Sequence, residues 1–122
     1  MTEEAQLPPQ VQEDLVRLQQ LQQTLQVVVA QKQQLEIELS ETEKALSELE
    51  KITDDVPVYK NVGSILLKAE RQGLMGELKE RKELLNARVT VLGKQEERTR
   101  ERMKELQDRL QQRLRTPSAT PT

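Results

Sequence analysis

The sequence predicts a mainly α chain: a long antiparallel two-helix coiled coil with one β-hairpin at the bend. Three observations carry this. Apolar residues recur at alternating spacings of three and four along two tracts of similar length. A short β-branched stretch containing Gly63 separates the tracts. The composition also argues against a compact core. Of 122 residues, 33% are charged and 34% apolar, and Tyr59 is the only aromatic. Compact cores draw much of their buried area from aromatics, whereas a helix pair needs only a narrow apolar stripe.

Pro8 and Pro9 suit the first turn of a helix, so helix 1 is expected over 10–53, after a flexible N-terminus at 1–9. From Leu18 its seam runs Leu18, Leu21, Leu25, Val28, Lys32, Leu35, Leu39, Thr42, Leu46 and Leu49. Ten Gln between residues 10 and 34 flank this seam. They are surface helix formers here, because the heptad spacing is kept throughout. A β-hairpin is expected within 54–70, with Pro57 at the start of its first strand and Asn61 and Gly63 as turn residues. Helix 2 is expected over 71–115, with the seam Met75, Leu78, Lys82, Leu85, Val89, Leu92, Glu96, Thr99, Met103, Leu106, Leu110 and Arg113. A disordered tail follows at 116–122.

Two helices of roughly 40 residues, each about 60 Å long, fold back on one another when the connection is short. Setting Thr53 against Met75 places Leu46 by Lys82, Leu39 by Val89, Leu35 by Leu92 and Leu25 by Met103. It also sets Lys32 opposite Glu96, as a register-fixing ion pair or as two snorkelling side chains. Charge agrees with pairing. Residues 1–55 carry 4 basic and 12 acidic side chains, and residues 56–122 carry 15 and 9. A nucleic-acid surface on the basic half is disfavoured, because Glu alternates with the cations and no aromatic offers stacking.

Catalysis is not expected. Without Cys or His there are no thiolate nucleophiles, no disulfides and no imidazole base, and the common zinc ligands are missing. Gly73 to Gly76 does not make a phosphate loop, and Asp and Glu fall at spacings for solvated helix pairs. No cofactor or metal is expected. The acidic start, Met1-Thr2-Glu3-Glu4, is not a signal peptide. No apolar run approaches the roughly 20 residues that span a membrane, so a cytoplasmic location is expected.

Two places are left for function. The hairpin carries Val58, Tyr59, Val62, Ile65, Leu66 and Leu67 on two strands with open edges, which favours pairing with other subunits over capping its own coiled coil. The end of the pair that holds both termini carries Val11, Leu15, Leu18, Leu106, Leu110 and Leu114. Leu7, Val16, Val27 and Val29 add apolar surface off the seam. The cluster is read as a binding strip, although single members also fit the seam.

The run Val58-Tyr59-Lys60-Asn61-Val62-Gly63-Ser64-Ile65-Leu66-Leu67-Lys68, between a Gln-rich helix and a charged one, resembles the β class of prefoldin subunits, in its archaeal form. The resemblance covers roughly residues 7–115, and this run is its specific part. The single hairpin fits the β class, since the α class has two. The resemblance implies a hexamer of two α and four β subunits, with the hairpins forming an inter-subunit β-barrel body. It also implies ATP-independent capture of unfolded proteins at the coiled-coil tips and their delivery to a group II chaperonin. Carried onto this chain, the tip role falls to Val11, Leu15, Leu18, Leu106, Leu110 and Leu114. The alternative is a coiled-coil scaffold or spacer that binds no client.

Overall fold

A computed structural model describes residues 7–115. The elements, in chain order, are helix α1 (Pro9–Glu50), strand β1 (Val58–Val62), strand β2 (Ile65–Ala69) and helix α2 (Arg71–Arg115). Two long helices with one antiparallel hairpin between them is the expected fold class. The tail expected at 116–122 lies outside the described residues, as does most of the N-terminal segment expected at 1–9; within that segment Pro9 already belongs to α1.

Pro9 opens α1 where its missing N–H is no loss, and the first intrahelical bond runs from Gln12 N–H to the Pro8 carbonyl at 3.0 Å. Every seam position named above, on both helices, is buried or half-buried. Two of the buried ones are Thr42 and Thr99. Each satisfies its hydroxyl by donating back to the carbonyl four residues earlier, Glu38 at 2.8 Å and Gln95 at 2.7 Å. Among the described residues no buried side-chain N or O lacks a partner.

Helix α1 ends at Glu50, three residues short of the expected 53. Its last turn tightens, with Lys51 N–H bonding the Glu48 carbonyl and Ile52 N–H the Leu49 carbonyl. The negative end of the helix dipole disfavours Asp54 and Asp55 inside the helix. Arg71 takes over from the backbone. Its Nε donates to the Leu49 carbonyl at 2.7 Å and its Nη1 to Asp54 at 2.8 Å. Gln72 also donates to Asp54. The bonds from Arg71 and then Gln72 hold the Asp54 carboxyl below its ordinary value of 3.8. Thr53 donates to Asp55 and lowers that carboxyl in the same way.

Arg71→Ala is expected to lower stability at pH 7, with about 1 kcal/mol from the Leu49 carbonyl bond alone. Because the folded pKa of Asp54 is depressed, its share of the stabilisation is present above pH 3.8 and lost as pH falls through the lowered value. The gap between variant and parent therefore narrows on acidification, which urea titrations at pH 7 and pH 3 would measure.

The chain divides into two compact units. One comprises Met1–Ala30 with Leu92–Thr122, the other Gln31–Val91. In the second unit Glu38 pairs with Arg81 at 2.7 Å and Glu43 with Lys82 at 3.6 Å. The expected register set Lys82 by Leu46. Leu46 and Lys82 do line one groove, with Glu43 one turn before Leu46 taking the ammonium. In the first unit Asp14 pairs with Arg113, and Thr24 and Val28 line a groove with Gln95, Arg98, Thr99 and Arg102. In each of these helix-to-helix ion pairs the acid comes from α1 and the base from α2, as the charge asymmetry implied. Most of these side chains are partly exposed, so the pairs guide alignment more than they stabilise.

Candidate functional site: an apolar helix end and an exposed hairpin

Strands β1 and β2 pair in the register Val58↔Ala69, Tyr59↔Lys68, Lys60↔Leu67, Asn61↔Leu66 and Val62↔Ile65. Gly63 and Ser64 form a two-residue turn; Asn61, expected as a turn residue, instead lies within β1 opposite Leu66. Gly63 has φ 62°, and among the described residues no other position has positive φ. Positive φ at the first central residue alone is the type II′ pattern, which matches the twist of a hairpin and favours Gly there.

Partners in such a ladder share a face. Val58, Ala69, Lys60, Leu67, Val62 and Ile65 make one face; Tyr59, Lys68, Asn61 and Leu66 make the other. Lys60 Nζ reaches Glu77 of α2 at 3.2 Å and orients the first face toward the start of that helix. Even so, Val62, Ile65 and Leu67 are exposed there, and Tyr59 and Leu66 on the other face. Val58 is half-buried. Leu66 is 65% exposed. Apolar side chains thus stand on both faces, and among the described residues neither outer edge has a partner strand.

The first unit holds the other candidate residues, and it sorts them into two groups. Val11, Leu106 and Leu110 are buried, Val11 to 3% exposure, inside the helix pair. Leu18 is half-buried. Leu15 and Leu114 are exposed, by 41% and 62%, and Leu7 and Val16 are exposed with them. Of the further off-seam residues, Val27 is exposed and Val29 half-buried. The sequence-derived strip is therefore two layers: an inner seam layer and an outer exposed one.

The side chain that sequence reasoning missed is Asp14. It is buried to 4% exposure, with its carboxylate 2.8 Å from Arg113 Nη1 and 3.7 Å from Arg109 Nη1. The signal was present. Continuing the seam backward from Leu18 by four and then three lands on Asp14 and Val11. Arg71 was also missed, and no local pattern marks it.

The arrangement offers apolar contact and charge pairing. Among the described residues no group of three or more Asp or Glu is placed to hold a metal ion, and no helix is long and apolar enough to cross a membrane.

Comparison with known proteins agrees with these features. Residues 12–116 match the family model for prefoldin subunits. Prefoldin subunit beta of Methanothrix thermoacetophila is 55% identical over 92 residues, covering 75% of this chain and 77% of that protein. Its counterpart in Pyrococcus furiosus is 44% identical over 113 residues, covering 93% and 97%. The crystal structure of the prefoldin beta subunit from Thermococcus strain KS-1 superposes with a TM-score of 0.84 at 45% identity, covering 92% of this chain and 98% of that one.

Proposed function

Because this chain belongs to the prefoldin subunit family, and within it to the archaeal β class, we propose that it works as one subunit of a hetero-oligomeric, ATP-independent holdase. The family is one of chaperones that are not enzymes. The finer reading is that two α and four β subunits join through their hairpins into a β-barrel body, and that the helix ends capture unfolded proteins for delivery to a group II chaperonin. A cytoplasmic location belongs to the same reading.

The observation that carries it is the outer layer of Leu7, Leu15, Val16 and Leu114, exposed on the unit that contains both helix ends. Stable folding does not require these apolar side chains to face water, and several of them exposed on one unit are read as an interaction surface. Each contact is weak. Several such ends on one body act together, so effective concentration replaces single-site affinity. Apolar contacts are also non-directional, which suits clients that share only exposed apolar surface.

Leu15→Ser combined with Leu114→Ser tests this. Both sites are exposed, so stability should stay within about 0.5 kcal/mol per substitution. The variant, assembled with an α-class partner, should have the mass of the parent complex. Its suppression of aggregation of a denatured client, followed by light scattering, should fall by about tenfold or more. Unchanged suppression would remove these residues from the site. No suppression by the parent complex itself would favour the scaffold alternative.

A further inference from the structure

We propose that Asp14, Arg109 and Arg113 form a salt-sensitive latch that closes the helix ends over Val11, Leu106 and Leu110, holding these three as a reserve of client-binding surface. The inference rests on the holdase reading and adds a means of regulating it.

Four observations support it. Asp14 is a charged group in an apolar seam, almost fully removed from water. Its partners are two arginines one helical turn apart on α2, each partly exposed. The three buried apolar residues occupy the same stretch of the two helices, Val11 one turn before Asp14 and Leu106 and Leu110 interleaved with the arginines. Finally, the exposed Leu15 and Leu114 each directly follow a member of the ion pair in sequence.

A leucine at position 14 would close the seam without the cost of removing a carboxylate from water, so the charge is not explained by stability. An ion pair behaves differently from a leucine. It holds while both partners are in place, but its arginines reach solvent, so salt and competing charge weaken it, less than they would a pair exposed on both sides. The latch lies near both helix termini: α1 begins at Pro9, five residues before Asp14, and α2 ends at Arg115, two residues after Arg113. Helix ends open at low free-energy cost. When the pair separates, Val11, Leu106 and Leu110 reach solvent beside Leu15 and Leu114, and the exposed apolar area grows.

Two substitutions drive the latch in opposite directions. Asp14→Lys places a third cation against Arg109 and Arg113; Asp14→Leu closes the seam permanently. Both are made in the full chain, assembled with an α-class partner, and checked for parent mass. Amide hydrogen exchange over residues 9–18 and 106–115 reports the latch, and suppression of aggregation of a denatured client reports function. Asp14→Lys should raise exchange in both segments about tenfold and increase suppression per complex. Asp14→Leu should lower exchange, remove its dependence on salt, and reduce suppression severalfold. A charge reversal, Asp14→Arg with Arg109→Glu and Arg113→Glu, should restore parent-like exchange.

Faster exchange in Asp14→Lys with unchanged or weaker suppression overturns the latch and leaves Asp14 as a register pin. Unchanged exchange in Asp14→Lys also overturns it. Absence of suppression by the parent complex is a failure of the holdase reading instead.

Discussion

Ile65→Asp together with Leu66→Asp should break the oligomer into small species while leaving both helices folded. The two positions sit side by side in β2 but point to opposite faces, and both are exposed in the single chain. If the hairpin did no more than cap its own helices, two aspartates in water would be nearly neutral. If neighbouring hairpins cover both faces, each leucine or isoleucine contributes about 1.5–3 kcal/mol of burial, and each introduced carboxylate is stripped of water without a partner. The penalty recurs at every hairpin interface in the body. Native mass spectrometry after mixing with an α-class partner should show loss of the large species, and circular dichroism should still show two long helices. A complex of parent mass would exclude the hairpin as the assembly element.

The helices were legible because their signal is redundant. A seam position missed at Lys32 or Glu96 is outvoted by its neighbours, and the same spacing predicts burial along both tracts. The hairpin was legible because Gly63 supplies a positive φ that only the turn requires. The helix end was only half legible. Apolar character alone does not say which way a residue faces, and Val11 and Leu15 look alike in a list of hydrophobic residues. The angular position does separate them. Leu15 follows Asp14 and Leu114 follows Arg113, and one residue turns the side chain by about 100°, off the seam and into water. Asp14 stayed hidden because a carboxylate is normally read as flank; its burial depends on two arginines roughly a hundred residues away in sequence. Arg71 was hidden for the same reason. Its partner is a backbone carbonyl at the end of the other helix, and neither its type nor its neighbours announce that contact.

The same angular argument yields a second large effect, at two adjacent leucines of α2. Leu85 is a seam residue with 3% of its surface exposed, and Leu84, one position earlier, is 52% exposed. Truncating Leu85 to Ala removes buried methyl groups and leaves a gap in a seam that is only one side chain wide. No second layer of core lies behind that seam to collapse into the space. Losses of about 2–4 kcal/mol follow from removing such a side chain. Leu84→Ala removes the same atoms from a solvated face and should change stability by no more than about 0.5 kcal/mol; alanine's better helix propensity offsets part of that loss. Urea unfolding monitored by helicity, at one fixed protein concentration because assembly is linked to folding, would compare the two. Equal losses at both positions would mean that Leu84 is also covered in the folded state. Because it is exposed within the single chain, that cover could come only from another subunit, and the face of α2 bearing Leu84 and Val91 would then join the hairpin as an assembly surface.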